Sequence, residues 1–483
     1  MTTMKPELTP DSPARGSPAP PRRGLWLLVA GCLGVMLIGF LLIGGRGRQK
    51  TLATTQPPSA SASNTRWPAR KRSHATPPYS RPPSAKSAAD IVADKLRQFV
   101  IDRRALVRAW ARRLRVQVPV AVERFFDAAE TGRWDAIEDQ FQALKAAQRN
   151  GQDVEAQTLT KLWPALAETH GVAQATHLWP AQALLDYGTA VLDALRPGMV
   201  YLGGTDAGRF IPTLLNDTAD GERHVVLTQN AFADVSYLDY VNFRYPDRLA
   251  LLTSDDSQQA FQDYLADART RAEHDQQFPN DPSALRPGED VRLIPNPDGS
   301  QRTQVSGQVA VMAINERLLQ TLLAKNPDVP FALEESYPLP STYAGAAPLG
   351  PIMELRAYDQ ANALGAEGAA PELNYWRTTA RDLLADPATA GSAEVLNAYS
   401  KMAAGQAALL TDHHAFSDAE QLYAVATDIA PANAEAVFRY ATLLVQENRS
   451  AAAVAVAERA VSADPQNAQL VSLLTSLRSS NKP

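Results

Sequence analysis

The sequence predicts an α/β fold. A Rossmann-like parallel sheet is flanked by α-helical domains, followed by a tetratricopeptide-like α-solenoid and preceded by one transmembrane helix. Three observations carry this expectation. An uncharged apolar run fills residues 24–45. The hydrophobic period changes from helical to strand-like at Met199. Near the C-terminus, small residues and prolines recur at an offset of 34.

The bulk numbers set the frame. A chain of 483 residues suffices for two or three domains plus linkers. Hydrophobic content of 45% with 20% charged residues is ordinary for globular protein. A formal net charge of −5 gives no whole-chain argument for nucleic acid, and no nucleic-acid partner is expected. Cys32 is the sole cysteine, so the soluble part holds no disulfide, and the redox compartment stays open.

Residues 1–23 and 46–88 are rich in Pro, Ser and Thr and carry no apolar period. Neither can bury enough apolar surface to offset chain entropy, so both are expected to be disordered, the second as a linker. Between them lies "GLWLLVAGCLGVMLIGFLLIGG". At about 1.5 Å per residue, roughly 20 such residues cross a bilayer core. A lipoprotein signal ending at "VAGC", Val29–Cys32, is the alternative, although the apolar run continues well past Cys32. Basic residues flank the run on both sides, so the positive-inside rule is close to a tie.

Residues 89–196 are expected to form a helical domain. Its first stretch spaces Leu96, Phe99, Val100, Val107, Trp110 and Leu114 along one helical face, with a strongly basic remainder. That remainder reads either as a solvated face or as a surface for anionic lipid. Gly132 breaks a helical hairpin, and a further helix is expected at about 178–195. Residues 197–372 are expected to form the α/β domain. "MVYLGG", "RHVVLTQ", "RLALLTS" and "VPFALEES" read as strands, with helices between them. "DVRLIPNPDGSQRTQVS" reads as a hairpin turning at Pro297-Asp298-Gly299. Residues 373–483 carry the repeat. At an offset of 34, Ala419 meets Ala453, Ala426 meets Ala460, Pro431 meets Pro465, and Asn433 meets Asn467. A protein partner is expected at these helices, and they are expected to dock on the α/β domain.

The candidate site begins where the first strand ends, in "VYLGGTDAGRF". Ligands of open α/β sheets gather at the carboxyl ends of the strands, and a helix N-terminus there favours anions. Gly203 and Gly204 would let a ligand approach the backbone. Thr205 or Asp206 would cap the helix, and Arg209 lies one turn in, able to fork onto a carboxylate or phosphate. The plainer reading is a capped turn neutralised by an Asp206–Arg209 pair. The second strand ends in Gln229, Asn230 and Asp234, whose amides and carboxylate suit hydroxyl-rich ligands, or equally an Asn turn with Asp234 as a cap. Glu334 and Glu335 are neighbours on a strand and point to opposite faces, so they form no single acid/base pair. His413-His414 has no third ligand nearby. No metal motif, cofactor fingerprint or catalytic triad is found, and no cofactor is expected.

"GGTD-x-GRF-x-PT" with "TQNA-x-AD", then "VSGQVAVMAINERLL", "EESYPL" and "EAVFRYATLLVQENR", resembles the C-terminal region of a bacterial membrane-protein family. Its members span the membrane many times, resemble glycosyltransferases that use polyprenyl-phosphate sugars, and end in tetratricopeptide-like helices. The resemblance covers roughly residues 118–470 and implies that this part faces the periplasm. Only one span is present here, so the membrane half that would carry the donor-binding and catalytic groups has no counterpart. The reading favours a membrane-anchored envelope protein that binds partners or glycan-related ligands. The alternative is a glycosyltransferase-related or hydrolytic enzyme using the "GGTDAGRF" cleft.

Overall fold

A computed structural model describes residues 86–151, 153–281, 283–286, 288–295, 301–355 and 366–480. The apolar run at 24–45 and nearly all of the expected linker lie outside these residues. Among the described residues, no helix is long and apolar enough to cross a membrane.

The chain is mostly helical, with a small mixed sheet. Five helices come first: α1 (Ala88–Leu114), α2 (Val120–Thr131), α3 (Trp134–Asn150), α4 (Val154–Leu178) and α5 (Ala181–Ala194). Ser87 opens α1 with a capping box completed by Asp90, and Gly132 ends α2 at φ 68°, where a Cβ would be strained. Helix α4 has no counterpart among the expected elements. It is buried against α1, α3, α6 and α7, so apolar residues surround it and leave no amphipathic stripe to read. Pro164, inside the helix, weakens the signal further.

The middle of the chain runs β1 (Val200–Gly203), α6 (Ala207–Asp217), β2 (Val225–Thr228), α7 (Val235–Arg244), α8 (Ser254–Gln277), β3 (Asp290–Pro295), β4 (Gln301–Ser306), α9 (Gln308–Lys325), β5 (Phe331–Leu333), α10 (Pro340–Tyr343), β6 (Ala346–Leu349) and β7 (Ile352–Leu355). The sheet order is β2-β1-β5-β7-β6. β1 pairs in parallel with β2 and β5, but β7 is antiparallel to both β5 and β6. The expected parallel sheet is therefore corrected to a mixed one. The chain reverses at Gly350, φ 59°, so the last two strands return as a hairpin and need no crossover helix. β3 and β4 pair separately as the expected hairpin, whose turn lies outside the described residues.

"RLALLTS" is a second correction, because it joins no ladder. Asn326 takes both backbone groups of Ala250 instead, accepting from its N–H at 2.8 Å and donating to its carbonyl at 3.0 Å. One side-chain amide has replaced a strand neighbour.

The C-terminal part is α11 (Ala366–Ala385), α12 (Pro387–Ala390), α13 (Ala393–Asp412), α14 (Phe416–Ile429), α15 (Ala434–Gln446), α16 (Ser450–Ala463) and α17 (Ala468–Ser480). The offset of 34 reaches down to single hydrogen bonds. His414 and Asn448, at equivalent turns, both take left-handed φ values of 61° and 60°. Asn433 caps α15 and Asn467 caps α17 through the same side-chain oxygen. Ala419, Ala426, Ala453 and Ala460 are all buried where these helices meet. Helices α15–α17 enclose a second, smaller core built on Val437, Ala457, Leu470 and Leu473.

Candidate functional site

The loop after β1 and the loop after β5 meet at the carboxyl ends of the sheet. Gly204 and Gly208 make this possible. A Cβ on Gly204 would lie 2.4 Å from Ser336 Oγ, and one on Gly208 would lie 2.4 Å from the Glu334 carboxyl. Asp206 caps α6, accepting from the Gly208 N–H at 3.0 Å. Its other oxygen receives Lys401 Nζ at 2.6 Å, and Glu334 Oε1 lies 3.5 Å from the same ammonium. Asn230 donates to Thr205 Oγ1 at 3.1 Å and to Ser336 Oγ at 3.4 Å. Gln229 donates to the Glu334 carbonyl at 3.0 Å. Thus Gly203, Gly204, Thr205, Asp206, Gln229 and Asn230 come together, joined by Glu334, Ser336 and Lys401.

Burial pushes the Glu334 carboxyl up, Lys401 opposes that in part, and the Asp206 charge raises it again, to about 8. Burial alone would lower the Lys401 ammonium, but Asp206 and Glu334 raise it above its ordinary range. Glu334 Oε2 has no hydrogen-bond partner. Beside Glu334 and Glu335, against Met402, Gly405 and Gln406 of α13, is a cavity with room for about one water.

Arg209 is placed elsewhere. Its Nε donates to the Gly204 carbonyl at 2.6 Å, and Nη1 meets Glu168 Oε1 of α4 at 3.1 Å. Glu168 also pairs with Arg103 at 3.1 Å and Arg244 at 3.2 Å, and accepts from Tyr240 at 3.3 Å. Asp217 pairs with the same Arg103 and Arg244. Burial would push the Glu168 carboxyl up, but Arg103, Arg244 and Arg209 hold it down at about 2. The expected Asp206–Arg209 pair is therefore replaced by two separate partners, Lys401 and Glu168. Asp234 caps α7, accepting from the Ser236 N–H at 2.9 Å, and shares no partner with Arg209. Burial raises its carboxyl above the usual range.

The repeat closes the strand ends. Lys401 comes from α13, and Arg439 of α15 grips Glu335 with two bonds at 3.0 and 3.2 Å while Tyr343 donates to it at 2.6 Å. Gln406 donates to the Ile352 carbonyl at 2.6 Å, and a His413 ring nitrogen lies 3.2 Å from the Tyr343 carbonyl. A Cβ on Gly405 would lie 2.9 Å from Glu335 Oε2. Glu334 and Glu335 lie just past the end of β5 rather than on a strand as expected, and each finds a cation on a different repeat helix, Lys401 of α13 and Arg439 of α15.

Sequence reasoning missed Glu168 and Lys401. Each is a solitary charge in an apolar helical stretch, in "ALAETHG" and "NAYSKMAAG". Such a charge is stable in a core only with a partner, and that was the available signal.

Residues 410–477 match a tetratricopeptide repeat family. No curated protein and no solved structure matches the chain.

Proposed function

We propose that the chain is a membrane-tethered scaffold whose tetratricopeptide helices hold a partner protein, with the α/β part as their fixed platform. The match over residues 410–477 carries this reading, because such repeats are protein-interaction modules. On this reading a partner would sit on the part of the repeat that does not face the strand ends. Lys401, Gly405 and Gln406 of α13 and Arg439 of α15 are turned onto the strand ends. Helices α16 and α17 pack on α15 and on each other, and their remaining surface is what a partner would meet.

Ala453→Trp tests this. Ala453 is fully buried on α16, and overpacking should cost about 1–3 kcal/mol. Partner retention by the full-length chain should fall while the buried ion clusters stay intact. Undiminished retention in a variant with a perturbed repeat would refute the reading. Membrane attachment through residues 24–45 and an envelope location belong to the same proposal. Their support is the uncharged apolar run and the resemblance of the "GGTDAGRF" region. A C-terminal reporter that works only in the cytoplasm should be silent, and an active one overturns this part.

A further inference from the structure

We propose that the end of the helical part where α1 finishes and α2 and α4 begin rests on an anionic lipid surface, through Arg112, Arg113, Arg115 and Arg124 around Val120. The inference deepens the membrane reading above and rests on it.

Placement follows from side-chain bonds along the helices. Arg104 pairs with Asp127 and Arg108 with Glu123, so α2 runs antiparallel to α1. Arg103 pairs with Glu168, and Trp110 Nε1 donates to the Lys161 carbonyl at 3.3 Å. Seven residues on along α1, from 103 to 110, match seven back along α4, from 168 to 161, so α4 is antiparallel too. The last turn of α1, the start of α2 at Val120 and the start of α4 at Val154 therefore share one end of the molecule. Arg124 lies one turn into α2, on the face of Val120. Arg149, in the last turn of α3, sits just before α4.

Positive charge is left over at that end. Arg104 and Arg108 take up the acids of α2, pairing with Glu123, Asp127 and Glu130. Arg112, Arg113, Arg115, Arg124 and Arg149 are exposed, and none has a carboxylate partner among the described residues. Residues 109–122 contain no acid at all. The acids nearby are Asp153, which caps α4 on the Ala156 N–H, and Glu155. Five guanidinium groups thus face two carboxylates, in a chain whose net charge is −5.

Apolar exposure falls at the same end. Val120 is 67% exposed and Val154 77%, the highest values among the large hydrophobic residues described. Arginines set among bare valines match a bilayer surface, where headgroup phosphates lie over hydrocarbon. A soluble polyanion would use the arginines and leave the valines wet.

Reach is sufficient. The apolar run ends at Gly45 and the described chain begins at residue 86, so 40 residues, 46–85, lie between them. Forty residues span at most about 130–145 Å, against about 40 Å for the whole of α1. The bilayer that would hold residues 24–45 is therefore within range of the far end of α1. A patch tethered to a surface also meets it at high effective concentration, so modest intrinsic affinity is enough.

The test is amide hydrogen exchange on the full-length chain in lipid nanodiscs, made of phosphatidylcholine alone or with one-third phosphatidylglycerol. Residues 112–124 should exchange at least threefold more slowly in the anionic discs, and high salt should remove the difference. Arg112→Gln, Arg113→Gln, Arg115→Gln and Arg124→Gln combined should abolish it, and Val120→Asn should weaken it at least twofold. Should the combined variant fold poorly, the salt dependence of the unaltered chain decides. Retention of the chain in the phosphatidylcholine discs reports the tether by itself. Without retention the tether reading fails, and the same exchange comparison on vesicles of the two compositions still decides the patch. Equal exchange in both lipids, a difference that survives high salt or the arginine variant, or equal protection by inorganic phosphate or duplex DNA would overturn the proposal.

Discussion

Glu168 and Glu334 are buried to nearly the same depth, 4% and 3% exposed, yet their surroundings set opposite protonation states. Glu168 faces three guanidinium groups and a tyrosine hydroxyl, and every bond it makes favours the ionised form. Glu334 has one ammonium at 3.5 Å, shared with the closer Asp206, and one oxygen with no partner. Burial thus acts alike in both places, and the number of cations in reach decides the outcome. The first cluster joins α1 and α4 of the helical part to α6 and α7, which flank the first two strands. The second joins the sheet to the repeat.

The largest test removes the charge at the first cluster. Glu168→Gln keeps the shape but leaves Arg103 and Arg244 with Asp217 alone and Arg209 with no carboxylate. Orphaning buried cations should cost about 3–5 kcal/mol in urea unfolding. A loss under about 1 kcal/mol would mean that the arginines reach solvent. Lys401→Met comes next, at about 1.5–3 kcal/mol, the range for a charge-assisted hydrogen bond, lowered in practice because Asp206 stays partly solvated. A loss matching that of Glu168→Gln would break the comparison.

The pH dependence sharpens it, because the two carboxyls act in opposite directions. Glu168 lies near 2 against an ordinary 4.5, so its contribution is present above about 4.5 and is lost as pH falls toward 2. Glu334 lies near 8, so its contribution is full below about 4.5 and is lost as pH rises through 8. Glu372, buried beside Trp376 and also raised to about 8, adds to the second trend. Unfolding midpoints between pH 3 and 9 should therefore peak in mildly acidic solution. The smallest expected effect is that of Glu334→Gln, under about 1 kcal/mol at pH 5, where the native carboxyl is already neutral. Its signature is a shallower decline from pH 5 to 9, and an unchanged decline would show that Glu334 is ionised throughout.

How far the sequence could be read follows from where each signal resides. Strand β1, helix α6 and the Asp206 cap are written in contiguous residues, and they lie close to where "VYLGGTDAGRF" places them. The repeat was readable because position 34 residues on does the same job, down to the Asn433 and Asn467 caps. Helix α4 was not, since a helix packed on all sides has no polar face to set its period. Nor was the direction of Arg209. A local reading offers Asp206, three residues away, while the actual partner, Glu168, lies 41 positions back on that unseen helix. The antiparallel strands β6 and β7 are four residues each and contain Pro348 and Pro351 in or beside them, too short and too interrupted to show an alternation.

The Lys401–Asp206 bond also has a place in time. Its ends are 195 residues apart. At about 5–20 residues per second, a ribosome finishes Asp206 roughly 10–40 s before Lys401. The Glu168 cluster is complete once Arg244 has been made, so the helical half can settle while the strand ends are still uncovered. During that interval Asp206 has no cation, and later Glu334 and Glu335 join it without Lys401 or Arg439. The newborn chain therefore presents open, acidic strand ends that the finished protein covers with α13 and α15.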